Sequence, residues 1–133
     1  MSLRYLLDTN VCIALERGRD QGLRDRVASH SLTSLSICEV VWAELLVGTR
    51  LATNPAQAKL KIEPFSRLTS FPFDRAAAEC YADIRVHLQR QGQLIGGNDL
   101  QIAAIALAHG LTLVTHNTRE FSRVPELLLE DWQ

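Results

Sequence analysis

Several features that would point to other protein classes are scarce or missing in this 133-residue sequence. Its three cysteines, Cys12, Cys38 and Cys80, are odd in number, far apart and set among apolar neighbours. That argues against a disulfide framework and against a zinc-ligand spacing, and predicts core thiols. His30, His87, His109 and His116 form no HxxxH or HExxH pair, so each is expected at a helix end or on the surface. There is no GxSxG elbow, Walker loop or GxGxxG turn to support nucleophilic hydrolysis or nucleotide binding of those kinds. No apolar run approaches the roughly 20 residues of a membrane span, and Met1 to Arg4 leads straight into a short apolar stretch rather than a signal sequence. A cytoplasmic protein with no membrane role is expected. Charge of one sign is also missing: the net charge is -1, too balanced to hold nucleic acid by bulk electrostatics alone. Lysine is nearly absent, with only Lys59 and Lys61, whereas arginine, the side chain suited to bidentate phosphate contact, is abundant.

What is present is apolar density: 47% of residues are hydrophobic, enough for one domain with a sizeable core and too short a chain for two. Leu6-Leu7-Asp8-Thr9-Asn10 reads as a buried strand ending in a carboxylate at the carboxyl edge of a parallel sheet, where open α/β folds place ligands. A short helix over Val11 to Glu16 is closed by Gly18, and a more polar helix runs to about His30. Its surroundings carry Arg17, Arg19, Arg24 and Arg26, read as a solvated face because Asp20 and Asp25 interleave, or else as a basic rim for phosphates. Leu35 to Cys38 is a second strand and Glu39 to Arg50 the following helix. Val40, Val41, Val47 and Gly48 lie three or four positions from Glu44, which places this carboxylate on a core-facing stripe. An ionised group there needs a metal, a hydrogen-bond network or a buried arginine partner.

Asn54-Pro55 opens a helix predicted to reach about Leu68, and Phe71-Pro72-Phe73 is an edge piece or extended link. Asp74 caps a long helix to about Gln91, with Ala77, Cys80, Tyr81, Ile84 and Leu88 inside and Gly92 at its end. In Leu94-Ile95-Gly96-Gly97-Asn98-Asp99, Asn98 is expected to cap a helix running to about His109. Asp99 then falls in the first turn, where the macrodipole is expected to depress its pKa, and Ile102, Ala103 and Ala106 turn it towards the core. Leu111 to Thr115 is a third buried strand with His116-Asn117-Thr118 beyond it. Arg119, Glu120, Phe121 and Arg123 form a polar loop around one aromatic anchor, and Leu127 to Leu129 a last short strand.

With parallel strands, Asp8 and Asn117 lie beyond one sheet edge, while Glu44 and Asp99 approach it from flanking helices. Clustered carboxylates in an apolar-walled crevice raise one another's pKa and require a compensating charge. Oxygen donors without cysteine or clustered histidine select a hard cation, Mg²⁺ or Mn²⁺. Metal-assisted hydrolysis of a phosphodiester is the chemistry this set suggests.

The same residues resemble those of PIN-domain proteins, and more narrowly the VapC toxins of type II toxin-antitoxin modules. The similarity is carried by Leu7-Asp8-Thr9-Asn10, Ala43-Glu44-Leu45 with Gly48, Ile95-Gly96-Gly97-Asn98-Asp99 with Ile102-Ala103-Ala104, and Leu113-Val114-Thr115-His116-Asn117 with Arg119-Glu120-Phe121. Val124-Pro125 and Leu129-Glu130-Asp131-Trp132 resemble the family's ending. The resemblance implies a three-layer α/β/α sandwich with a central parallel sheet, one PIN domain over residues 1–133 and a homodimer. It also implies a Mg²⁺- or Mn²⁺-dependent endoribonuclease acting on tRNA or other structured RNA, held by a VapB-type antitoxin. Carried over by position, Asp8 and Asp99 are metal ligands, and Glu44 is a ligand through water or the base for the attacking water. Thr9, Asn10 and Thr115 support that shell, and Arg119 is a candidate substrate contact. Asn117 stands where a carboxylate is common in the family, and Pro125 is followed by Glu126 where glycine is expected.

Two other readings share parts of this pattern. A phosphotransfer domain would use Asp8 as a nucleophile, but Asn10 occupies the place of its second aspartate and no lysine lies near Asn117. A catalytically silent PIN-like module would offer the acidic crevice to an arginine of a partner.

Overall fold

In a computed structural model describing residues 2–133, five parallel strands form one sheet in the order β3-β2-β1-β4-β5. The strands are β1 (Tyr5–Leu7), β2 (Leu35–Cys38), β3 (Thr69–Phe71), β4 (Thr112–Val114) and β5 (Leu129–Glu130). β1, β2 and β4 are buried throughout, as their continuous apolar runs require of strands covered on both faces. β3 is an edge strand, the place where Pro72 can end pairing without breaking a ladder.

The chain crosses from β1 outward to β2 and β3, then returns to lay β4 and β5 on the other side of β1. The order therefore reverses at β1, and the carboxyl ends of β1 and β4 face the resulting crevice. Their register pairs Leu7 with Val114, so the next residues, Asp8 and Thr115, lie side by side beyond the sheet. Leu6, Leu113 and Ile37 behind them are essentially inaccessible. Truncating Leu6 to alanine would cost roughly 2–5 kcal/mol through lost burial and an unfilled cavity, which is what anchors the strand that presents Asp8.

Helices cover both faces: α1 (Thr9–Arg17), α2 (Gln21–Ala28), α3 (Glu39–Leu51), α4 (Pro55–Ile62), α5 (Arg75–Arg90), α6 (Gly97–Ala108) and the single turn α7 (Thr118–Phe121). The architecture is the expected α/β/α sandwich with a central parallel sheet. Asp20, Asn54 and Asp74 accept hydrogen bonds from backbone N–H groups three residues on, capping α2, α4 and α5. Gly18, at φ 67°, closes α1 in a left-handed conformation that a side chain would resist.

Some boundaries differ from expectation, each for a local reason. α4 stops at Ile62, and Glu63–Arg67 tightens into a 3-10 helix because Pro64 lacks an N–H and disfavours the α conformation before it. Gly96, not Asn98, is the cap of α6; Leu100 N–H donates to the Gly96 carbonyl and Asn98 lies exposed inside the first turn. The inner stripe of α3 is Val41, Leu45 and Thr49, while Val47 is exposed and Glu44 sits half-buried at the stripe's margin. Residues 118–121 form a helical turn around the fully buried Phe121 rather than a loop. β5 is Leu129–Glu130, later than Leu127 to Leu129, because Leu127 N–H turns back to the Val124 carbonyl. Cys12 and Cys38 are buried free thiols and Cys80 is half-buried. No helix among the described residues is long and apolar enough to cross a membrane.

Candidate active site

Asp8 is the first residue past β1 and the N-cap of α1, with extended backbone at φ -70° and ψ 157°. Its carboxylate is fixed at both oxygens: Thr9 N–H donates to Oδ1 at 2.8 Å and Thr115 Oγ1 donates to Oδ2 at 2.8 Å. Only 3% of Asp8 is exposed. Burial raises its pKa, the two hydrogen bonds pull against that rise, and the Glu44 charge adds to it.

Thr9 serves two carboxylates. While its N–H holds Asp8, its hydroxyl donates to Glu44 Oε1 at 2.7 Å, tying α1 to α3. Thr115 is likewise shared, donating to Asp8 and accepting the Asn117 N–H at 3.0 Å. These two threonines give hydrogen-bonded support to Asp8 and Glu44. Asn10 is exposed and shares a face of α1 with Ile13, Ala14 and Arg17 along a groove whose other side is His116 and Asn117.

Asp99 occupies the first turn of α6, yet its pKa is pushed up to about 6 rather than depressed. The causes, largest first, are burial and the charges of Asp8, Glu44 and Glu120. The helix dipole is screened and local, and here it is outweighed by desolvation and three like charges. This overturns the expectation drawn from capping alone, and it shows that the four carboxylates share one electrostatic neighbourhood.

Glu120 is the member that reading the sequence missed. It lies one turn after Asn117 on α7, and Asn117 Nδ2 donates to Glu120 Oε2 at 3.2 Å. The available signal was the three-residue spacing, which brings both side chains to one face once residues 118–121 become a helical turn instead of a loop.

Among the described residues no cation is paired with these charges. The ion pairs among the described residues are Arg26 with Glu130, His109 with Asp74 and His116 with Asp131, and none includes Asp8, Glu44, Asp99 or Glu120. The arginine partner that could have explained Glu44 is therefore not there. Arg119 is exposed on α7; Arg24 reaches the Gly18 carbonyl, and Arg26 lies over the Trp132 ring at 5.6 Å. Cys38 opens α3 beside the site, but burial, reinforced by Asp8 and Glu44, pushes its thiol up to about 11. Cys12 is raised well above the ordinary thiol value for the same leading reason. Both stay neutral near pH 7, so the donor set is oxygen only.

That donor set fits a hard divalent cation in type and charge. As placed, no three His, Cys, Asp or Glu side chains among the described residues close into a ready coordination shell. Mg²⁺ tolerates such a site, since it is held by one or two carboxylates and keeps much of its water.

Residues 5–127 match the model of the PIN domain. The chain belongs to the PIN domain family. This PIN domain is 36% identical over 130 residues to ribonuclease VapC2 of Rickettsia felis, covering 96% of this chain and 97% of that one. It is 38% identical over 131 residues to the tRNA(fMet)-specific endonuclease VapC of Shigella flexneri, covering 98% of each. Its fold superimposes with a TM-score of 0.93 on a chain of the DNA-bound VapBC complex of Salmonella typhimurium, at 33% identity and over 98% and 99% of the two chains. The expected likeness to VapC proteins thus holds over nearly the whole length.

Proposed function

We propose that this VapC-like PIN domain is the endoribonuclease of a type II toxin-antitoxin module, hydrolysing phosphodiester bonds of tRNA or another structured RNA. The observation that carries the reading is the gathering of Asp8, Glu44, Asp99 and Glu120 at the β1–β4 crevice with no cationic side chain paired to any of them. Asp8 and Asp99 would hold Mg²⁺ or Mn²⁺, with Glu44 and Glu120 reaching it directly or through water. When bound, the metal would neutralise phosphate charge and lower the pKa of a coordinated water.

The chain's own groups supply the rest. Thr9 and Thr115 hold Asp8 by both oxygens, so its carboxylate cannot swing away as substrate enters. Thr9 leaves Glu44 Oε2 free while fixing Oε1, and Glu44 is the group placed to take the proton of the attacking water. Water oxygen bonds to phosphorus as the P–O3′ bond breaks, and the leaving 3′ oxygen takes a proton from solvent water, which yields a 5′ phosphate and a 3′ hydroxyl. Asn117 steadies Glu120 and carries no charge of its own. Arg119 is left as a candidate phosphate contact.

The chain acts in this reading as one domain over residues 1–133, in the cytoplasm, as a homodimer partnered by a VapB-type antitoxin; similarity to chains of VapBC complexes supports that partner. The silent alternative, an acidic crevice that only receives an arginine, is not favoured by relatives of the same length named as ribonucleases. Calorimetric titration with Mn²⁺ tests the metal assignment: Asp8→Asn combined with Asp99→Asn should abolish binding, and unchanged affinity would refute it.

A further inference from the structure

RNA cut at this crevice has to run on past it; two concave surfaces contain Glu44, and a third is joined to the site through Asn10 and Asn117. One, between α1, α3 and α4, is lined by Glu16 and Glu44 together with Arg17 and Lys61; another, between α3 and Phe73, by Glu39 and Glu44 with no cation. Both include Glu44 and so belong to the catalytic centre itself. The third, of about 460 Å³, has no acidic side chain in its lining. It runs along α1 from Asn10 past Ile13 to Arg17 and is closed on the other side by His116, Asn117 and Gln133.

We propose that this third groove seats the nucleotide next to the scissile phosphate, Arg17 meeting its outer phosphate while the amides and the His116 ring read its base. The inference rests on the ribonuclease reading and adds a specificity subsite to it.

Continuity with the catalytic centre is direct. Asn10 follows Thr9, which holds Asp8 and Glu44, and Asn117 links to both Thr115 and Glu120. The groove's lining matches a nucleotide: Ile13 and Ala14 give an apolar floor, side-chain amides offer paired donors and acceptors for base edges, and Arg17 is the one charged side chain. His116 is oriented for recognition, with Nδ1 3.1 Å from Asp131 Oδ2, so Nε2 is the ring nitrogen left for a ligand. Asp131 is itself fixed by the Gln133 N–H at 3.0 Å. Single-stranded or unpaired RNA, whose bases can be splayed outward, suits such a pocket better than a duplex.

The test uses a randomised single-stranded RNA pool, the full chain with Mn²⁺, and the variants His116→Ala, Arg17→Gln and, away from the groove, Lys59→Gln. All three residues are exposed, so each variant should fold, which melting curves check first. Sequencing the cut ends should show a base preference at one position beside the cut for the unaltered protein, flattened about tenfold in His116→Ala. In an Asp99→Asn background that binds without cutting, Arg17→Gln should lower the salt slope of RNA affinity by about 0.7, one single-strand phosphate contact, and Lys59→Gln should not. Superimposable base profiles together with an unchanged slope in Arg17→Gln would overturn the subsite. Failure of the unaltered protein to cut any RNA would overturn the ribonuclease reading instead. The subsite is then decided by the binding arm alone, where equal slopes refute it.

Discussion

Asn117 donates its side-chain amide to the Glu120 carboxylate at 3.2 Å, so the one site position that lacks a charge is bonded to the residue that supplies it. Glu120 also contributes to the negative field at Asp99. A fourth carboxylate is thus present, displaced by one turn of α7.

Glu120→Gln should consequently weaken Mn²⁺ binding and RNA cleavage by roughly 10–100-fold, the range for groups that support a metal's immediate ligands. Asn117→Ala, which frees Glu120 without removing its charge, should have the smaller effect. Calorimetry and cleavage rates on the same RNA check both. Equal affinity in Glu120→Gln and the unaltered protein would remove Glu120 from the site.

The metal-free protein should lose stability as pH rises from the ordinary carboxylate range to about 6. Folded Asp99 keeps its proton through that window and unfolded Asp99 does not, so the native state binds more protons there and each step up in pH favours unfolding. Asp8 is shifted in the same direction. Asp99→Asn should flatten this part of the stability-against-pH curve and raise the melting temperature of the metal-free protein at neutral pH. Added Mn²⁺ should flatten it too, by favouring the ionised carboxylates. Melting curves across pH 4 to 7 read all three.

Thr115→Val should cost about 1–3 kcal/mol, because it leaves the buried Asp8 Oδ2 and the Asn117 N–H without their shared partner. It should also raise the Asp8 pKa and weaken metal binding at low pH. Thr115→Ser, which keeps the hydroxyl, should recover most of both. Denaturant titration gives the first quantity and Mn²⁺ calorimetry against pH the second.

Glu126 follows Pro125 at φ 67°, a left-handed backbone conformation that non-glycine residues adopt at a cost. Glu126→Gly should stabilise the protein by about 0.5–1 kcal/mol, the left-handed penalty less the entropy that glycine loses on folding. Cleavage should be unaffected, since Glu126 lines a different surface, beside Cys80 and His87. A lower melting temperature would show that the side chain makes contacts worth more than the strain.

The parts of this molecule that were legible in its sequence are those decided by neighbours along the chain. The buried strand before Asp8, the caps at Asp74 and Asn54, and the inward-facing head of α6 follow from apolar runs and spacing. So does the family likeness, since its motifs are local. What escaped depended on distance in space. The Asp99 pKa is set by three carboxylates from other elements, which no reading of its own helix contains. Glu120 joined the site only because residues 118–121 wind into a turn around the buried Phe121. Asn10 and Arg17 came together as a groove wall because α1 begins at Thr9, earlier than its apolar density alone suggested.

In the proposed reaction Asp8, Glu44 and Asp99 direct a water at an RNA phosphodiester. The most direct test is to map the ends of RNA incubated with Mn²⁺ and either the unaltered protein or Asp99→Asn. Discrete cuts bearing 5′ phosphate and 3′ hydroxyl ends are expected, reduced in Asp99→Asn by more than the roughly 10–100-fold cost of losing a supporting residue. Cuts of equal strength in a folded Asp99→Asn protein, or 2′,3′-cyclic phosphate ends from attack by the ribose itself, would contradict it.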